Sequence, residues 1–255
     1  MIGESANNKY LWISIGLLTL FYYLDGEIMG SGGYVFELFH NINSLGASGF
    51  IMPMACALPA ALCYYEEKMS NAHRYKMIRK NRLSYAVHCI ARGMMGGAFV
   101  VGVSVALILG VFFVSSAIQG NALSFIDESG AYGTIDEPTI YVQLFEQGRG
   151  AVVLLLNVFI MILNGMLWPC FGILASAFIS NRKLLLVFPF LLYRLFAYVY
   201  NYNEYLTPLP FNMTKSIVYE PLGGFLRVGL YLLVVVYITI MALMANMQYQ
   251  YKRGE

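Results

Sequence analysis

Charged residues are scarce in this chain of 255 residues, since Asp, Glu, Lys and Arg together make up 12%, about half the share usual in soluble domains. Apolar residues reach 59%, and several apolar segments exceed the roughly 20 residues with which a helix crosses a ~30 Å hydrocarbon core. A soluble core is excluded because a chain of this size cannot hide five or six wholly apolar helices from water. The composition predicts an all-α, polytopic membrane protein.

The sequence also lacks the patterns that carry catalysis or nucleotide hydrolysis. It contains no Walker A motif, no Gly-rich nucleotide fingerprint and no His-Glu-x-x-His pattern. Asp25 and Glu27 interrupt the first apolar segment near its outer end. Its four cysteines, Cys56, Cys63, Cys89 and Cys170, lie in or beside apolar segments without metal-ligand spacing, which is typical of small buried hydrophobic residues. We therefore predict that the chain is not an enzyme and binds no metal or cofactor directly. Its net charge of +2 gives no indication of nucleic-acid binding.

Histidine is scarce as well, and this argues against a catalytic role for one serine-containing motif. Gly46-Ala47-Ser48-Gly49 matches the Gly-x-Ser-Gly nucleophile motif of rhomboid proteases, which also have six spans. Serine catalysis needs a histidine base within hydrogen-bond reach. The three histidines are His40, His73 and His88. His40 lies just before the motif, His73 lies in the following loop, and His88 begins the third apolar segment at the end opposite Ser48. No catalytic residue is predicted.

Six apolar segments are predicted to span the membrane within a single transmembrane domain, residues 1–255. They cover residues 10–29, 43–65, 86–116, 149–179, 184–201 and 222–246. Twelve of the sixteen Lys and Arg residues lie near the N-terminus, in two connecting loops, early in the third segment and in the tail. The two loops, at 66–85 and 181–183, are called joints below. Because basic loops stay on the cytoplasmic side, both termini are predicted to be cytoplasmic. The expected location is a cell membrane, namely a bacterial plasma membrane.

The third segment contains a small residue at every fourth position, Ala98, Gly102, Ala106 and Gly110. Small residues let helix backbones approach closely in lipid. This stripe is predicted to pack either against another helix of the same chain or against a second copy in a dimer.

Three polar residues inside the spans are the predicted translocation path: Asn157, Asn164 and Arg194. The two asparagines are seven residues apart on one helix face, where they could either line a path or hydrogen-bond a neighbouring helix. Gly165 and Pro169 predict a kink or break in the same helix. Arg194 lies roughly 15 Å into the fifth segment at 1.5 Å per residue, a depth at which a charge faces protein or a hydrated cavity. Glu204 and Glu220 are its expected partners.

The joint at 66–85 contains the stretches Tyr65-Glu66-Glu67-Lys68, Asn71-Ala72-His73-Arg74 and Asn81-Arg82-Leu83-Ser84-Tyr85, with Arg92 farther along. Together with the six-span layout, this resembles permease subunits of type-two ATP-binding-cassette exporters. In that family the second span ends in a glutamate, a short coupling helix follows, and a Lys or Arg opens the third span. Glu66 or Glu67 matches the glutamate, and Tyr85 and Arg92 match the start of the third span.

The resemblance implies a permease that exports a peptide, lipid or drug-like substrate, with ATP and Mg bound by a separate cytosolic ATPase subunit. It also implies a homodimer, or a heterodimer with a related permease. Glu66, Glu67, Arg74, Tyr75, Met77 and Ile78 are the predicted coupling residues, since gripping a soluble protein needs exposed apolar anchors among the charges. The alternative for this joint is contact with anionic membrane lipid. The alternative for the chain is a stand-alone secondary transporter or an immunity-type membrane protein.

Overall fold

The computed structural model describes residues 9–28, 42, 47–70, 72, 75–76, 81–119, 147–200 and 221–253, and all regular structure in these ranges is helical. Six long helices lie there: α1 Lys9–Ile28, α2 Ala47–Met69, α3 Arg82–Gln119, α4 Gly150–Phe178, α5 Arg182–Tyr200 and α6 Pro221–Arg253. The predicted all-α fold class is confirmed for these residues.

Four of the helices, α2, α3, α4 and α6, are long and apolar enough to cross a membrane. The qualifying stretches are Ala47–Met69, Arg82–Ser115, Leu154–Phe178 and Gly223–Tyr249. The protein is therefore membrane-embedded by the length and composition of these helices. Within the described residues α1 and α5 are not among the four. The 19 residues of α5 include the three basic residues Arg182, Lys183 and Arg194, which lower its hydropathy.

Helices α2 and α4 lie at the centre of the bundle. α2 contacts α1, α3, α4 and α5, whereas α4 contacts α2, α3, α5 and α6. Protein buries 56% and 61% of their apolar stretches but only 22% of that of α6. The outward side of α6 presents exposed Leu226, Leu230 and Leu233, a surface that suits contact with lipid tails.

The contact between α3 and α4 depends on glycine. A Cβ atom on Gly97 would overlap the carbonyl oxygen of Gly165, and one on Gly165 would lie 2.6 Å from Val101 Cγ2. Farther along, a Cβ on Gly93 would lie 2.8 Å from Ile173 Cδ1. These helices therefore approach each other as closely as their backbones allow, which is how helices gain packing energy in lipid.

The close contact of α3 and α4 through Gly93, Gly97 and Gly165 is called the glycine seam. The predicted small-residue stripe contributes little to it. Ala98 and Gly102 are half-buried, but Ala106 and Gly110 are exposed. A Cβ on Gly110 would meet nothing within 4 Å. Packing against the same chain thus accounts for the first half of the stripe and not for the second.

Two sequence-based boundaries differ from the structure. α2 continues to Met69 and α3 already begins at Arg82, so the joint predicted at 66–85 is shorter at both ends. The polar residues there continue the helical hydrogen bonds, and Ser70 N donates to Glu66 O at 3.0 Å. α4 also continues without a break through Pro169, where the proline ring lies against the Gly97 side of α3.

The glycine seam yields a stability prediction. Gly97→Ala is expected to force α3 and α4 apart and to cost about 1–3 kcal/mol, the usual effect of overpacking a tight contact. Thermal unfolding of the purified protein in detergent measures the loss. Gly110→Ala is the matched control on the same helix and should not lower the melting temperature, because alanine is the better helix former at a position with open space. Equal melting temperatures for both variants would contradict the seam.

Candidate functional site

The last turn of α2 carries four consecutive polar side chains, Tyr65, Glu66, Glu67 and Lys68. Successive helical residues are rotated by about 100° around the axis, so Glu66 and Glu67 point in different directions. Tyr65 and Lys68 are three residues apart and share one face of the helix. Together they form hydrogen bonds with α1, with α3 and with the C-terminal end of α4. We call this the basic end of the bundle, where α1, α3 and α5 begin and α2, α4 and α6 end. Its described basic residues include Lys9, Lys68, Lys76, Arg82, Arg182 and Lys183.

Glu67 connects three segments at this end. Its Oε1 atom lies 2.7 Å from Lys76 Nζ in the joint and 3.5 Å from Arg92 Nη1 on α3. The hydroxyl of Tyr85, also on α3, donates to Oε2 at 3.0 Å. These four residues, Glu67, Lys76, Tyr85 and Arg92, are called the Glu67 cluster.

The exposure of the partner side chains indicates which bonds of Glu67 contribute most to stability. The side chains of Glu67 and Arg92 are 16% and 23% exposed, whereas that of Lys76 is 48% exposed. Salt and water screen exposed ion pairs, which contribute little, while a hydrogen bond to a buried charge contributes about 1.5–3 kcal/mol. The bonds of Glu67 to Tyr85 and Arg92 therefore anchor the carboxylate, and Lys76 attaches the joint to it.

Glu66 faces the other side of the helix and lies on the surface. Tyr10 of α1 donates its hydroxyl proton to Glu66 Oε1 at 3.0 Å. The same hydroxyl accepts from Arg182 Nη2 of α5 at 2.8 Å. One tyrosine thus connects α1, α2 and α5.

Side chains from α2 and α6 donate hydrogen bonds to the carbonyl groups at the C-terminal end of α4. Lys68 Nζ donates to the Ala177 carbonyl at 2.7 Å, and Asn246 Nδ2 of α6 donates to the same oxygen at 2.6 Å. Tyr65 donates to the Ser180 carbonyl at 3.0 Å. The last carbonyls of a helix lack partners within it and carry partial negative charge, so a lysine is favourable there.

The predicted coupling residues are only partly described. Glu66 and Glu67 form the bonds given above, and Tyr75 is 71% exposed. Arg74, Met77 and Ile78 lie outside the described residues. The structure therefore places the two carboxylates on different sides of α2 and leaves one aromatic anchor accessible beside Lys76.

The two asparagines of the predicted path lie inside the bundle. Asn157 is 4% exposed and Asn164 is 1% exposed. Trp168 Nε1, one turn farther along α4, donates to Asn164 Oδ1 at 2.9 Å. This bond lies within α4 and so decides neither alternative for Asn164, whose carbonyl oxygen orients the indole of a fully buried tryptophan on its own helix.

Arg194 lies on the exposed side of α5. Its guanidinium stands over the rings of Phe50 and Phe190, with 5.2 Å and 5.6 Å from Cζ to the ring centroids. Cation–π contacts of this kind stabilise an arginine that has lost part of its hydration. Its expected partners Glu204 and Glu220 lie outside the described residues. The arginine therefore presents its charge at the surface of the bundle, between two aromatic rings.

One polar residue at the opposite end, Asp25, was noted in the sequence only as an interruption of the first apolar segment. Asp25 is 6% exposed, and its carboxylate accepts from the backbone N–H groups of Ala47 and Ser48 at 3.2 and 2.7 Å. It caps α2 from another helix, where an anion is favoured by the helix dipole. Ser48, from the protease-like motif, is fully buried and donates to the Ile42 carbonyl at 3.0 Å. Because N-cap signals are local in sequence, a cap 22 residues away leaves no pattern.

Comparison of the chain with protein-family models, with curated proteins and with solved structures finds no match.

The Glu67 cluster yields a paired prediction. Glu67→Gln is expected to destabilise the bundle by about 1.5–3 kcal/mol, because it removes the charge from hydrogen bonds at a half-buried site. Glu66→Gln, its neighbour on the exposed side, is expected to cost about 0–1 kcal/mol. Denaturation curves of the two variants in the same detergent measure the difference. A larger loss for Glu66→Gln would contradict the assigned roles.

Proposed function

We propose that this chain is the transmembrane permease subunit of a type-two ATP-binding-cassette exporter. In this proposal all six helices span the membrane and the basic end faces the cytosol. The four apolar helices support the membrane part. Tyr10 of α1 and Asn246 of α6 both form hydrogen bonds at the basic end, which supports an arrangement with both termini on one side. The excess of Lys and Arg there supports the cytosolic orientation.

The single observation that carries the proposal is the position of Tyr75. Its side chain is 71% exposed, and the next residue, Lys76, is bound to Glu67 at 2.7 Å. A soluble partner that grips Tyr75 therefore contacts a segment attached to α2 and, through Tyr85 and Arg92, to α3. This arrangement suits the transmission of motion from a cytosolic ATPase to the helices.

The proposed mechanism is rigid-body movement. Two permeases pair as a homodimer or with a related chain, and each binds one ATPase, which holds the ATP and Mg. Closure of the ATPases moves the joints, and the helices open a path alternately to each side. Of the predicted path residues, Arg194 has an exposed side chain, whereas Asn157 and Asn164 are buried. A path that includes Arg194 therefore runs along the surface of the protomer, as a path between two permeases would.

Co-purification tests the proposal. An ATPase subunit is expected to accompany the affinity-tagged chain from the membranes of its native host. Tyr75→Glu should abolish this association, because a charge at an apolar anchor is costly to bury, and Tyr75→Phe should retain it. Quantitative mass spectrometry of the eluted complex measures the ratio of the two subunits.

The two possible failures mean different things. If no ATPase accompanies the unmodified chain, the permease proposal is wrong and a stand-alone transporter or immunity-type protein takes its place. If the ATPase associates equally with the Tyr75→Glu variant, the permease proposal stands and the anchor is misassigned.

Cysteine labelling in intact cells checks the orientation. In a background with the four native cysteines replaced, Ser129→Cys, which lies outside the described residues, is expected to react with a membrane-impermeant maleimide. Ser70→Cys, in the joint after α2, should react only after the cells are permeabilised. The reverse pattern would place the basic end outside and remove the basis for a cytosolic partner.

A further inference from the structure

Basic side chains from two helices lie together where α1 and α5 meet at the basic end. Arg182 Nη2 of α5 donates to the hydroxyl of Tyr10 of α1 at 2.8 Å. Lys9 Nζ stands over the ring of the same tyrosine, 5.3 Å from its centroid, and Lys183 follows Arg182 in the first turn of α5. Lys9, Arg182 and Lys183 are all exposed. These three residues are called the α1–α5 basic cluster.

The cluster carries more positive than negative charge. In the part of the chain that the structure describes, Glu66 is the one carboxylate bonded to it, through the Tyr10 hydroxyl at 3.0 Å, and α5 has no acidic residue in its first turn. An arginine carries five N–H donors, of which Arg182 uses one for a described residue. The ammonium groups of Lys9 and Lys183 form no hydrogen bond or ion pair with a described residue. Three positive charges with accessible donors therefore face one negative charge.

Exposed apolar side chains begin directly beyond the cluster, on the same faces of the two helices. On α1, Trp12 and Ile13 lie three and four residues after Lys9 and are 54% and 62% exposed. On α5, Val187 lies four residues after Lys183 and is exposed as well. Residues three or four apart are neighbours on one face of a helix. The surface is therefore cationic at the end of the bundle and apolar immediately next to that end.

This order of chemistry matches one class of molecule. A glycerophospholipid carries its phosphate in the head group and its acyl chains directly beside it in the bilayer. Basic pockets between transmembrane helices bind anionic lipid head groups, and lysine and arginine form strong charge-assisted hydrogen bonds with phosphate. A soluble anion would account for the charges but not for their position at the edge of an apolar surface. The combination therefore favours a lipid.

We propose that the α1–α5 basic cluster binds an anionic glycerophospholipid. The phosphate binds Lys9, Arg182 and Lys183, and an acyl chain lies along Trp12 and Ile13. The bound lipid balances the excess positive charge of the cluster and connects α1 to α5. This inference does not rest on the proposed permease function, because binding requires neither an ATPase nor transport.

The tryptophans provide a local readout of the bound lipid. The chain contains two of them: Trp12 is exposed one turn from Lys9, whereas Trp168 is fully buried. Lipids with brominated acyl chains quench the fluorescence of a tryptophan that they contact. Quenching of the unmodified chain in vesicles therefore reports which lipid lies beside Trp12, and Trp168 contributes a constant background.

The experiment uses the full chain in vesicles of phosphatidylcholine and phosphatidylglycerol in equal amounts. Two samples differ only in which of the two lipids is brominated, so without a preference both quench Trp12 equally. We expect phosphatidylglycerol to be preferred at least about fivefold, the effect of roughly one basic residue near an anionic head group. Lys183→Gln should lower this preference about twofold or more, and the double variant with Arg182→Gln and Lys183→Gln should abolish it. Lys76→Gln is the matched control, because it removes the same charge from the basic end at the joint after α2, and it should leave the preference unchanged.

Several results would overturn the proposal. Equal quenching by the two brominated lipids refutes it on the unmodified chain, even if a variant fails to fold. Equal losses in Lys76→Gln and Lys183→Gln would show a general attraction of the basic end for anionic lipid, without a site on α1 and α5. A preference that survives in the double variant would place the lipid elsewhere. Loss of the preference on addition of millimolar glycerol 3-phosphate would indicate a site for soluble phosphate compounds instead of a lipid.

Discussion

Glu67 places one half-buried carboxylate in contact with the joint after α2 and with two turns of α3. Leaving such a charge without partners would be costly, so the position of Glu67 constrains Lys76, Tyr85 and Arg92 at the same time. The neighbouring side chains on the same turn bind α1 and the end of α4. The arrangement of the basic end therefore follows from about one helical turn, in which Glu66 faces α1, Glu67 faces α3, and Tyr65 and Lys68 both face the end of α4.

Away from that end, close packing rather than hydrogen bonding stabilises the contacts between helices. Lipid tails are as apolar as the helix surfaces, so helices gain stability from close contact rather than from escape from water. The seam of Gly93, Gly97 and Gly165 gives α3 and α4 this contact. α6 packs on α3 and α4 with most of its surface left facing outward. The bundle is thus stabilised by ion pairs and hydrogen bonds at one end and by close backbone contact in its middle.

Composition and apolar run length were sufficient to predict the helices, because a polar backbone in lipid must satisfy its hydrogen bonds within a helix. The boundaries were less predictable. Lys68 and Arg82 are polar and yet helical, since a helix does not end where the apolar stretch ends. Glu66, Glu67 and Tyr85 were singled out through the resemblance, but the bonds of the glutamates to Tyr10 and Tyr85 join different helices and leave no local pattern.

Asp25 and the glycine seam both show that contacts between helices cannot be predicted from the sequence of one helix. The carboxylate of Asp25 interrupts an apolar segment in the sequence, but in the structure it caps a helix that begins 22 residues later. The regular stripe from Ala98 to Gly110 drew attention by its spacing, yet the tight contact uses Gly97, which lies just outside it. Which face of a helix meets a neighbour depends on all helices together, and a single segment does not contain that information.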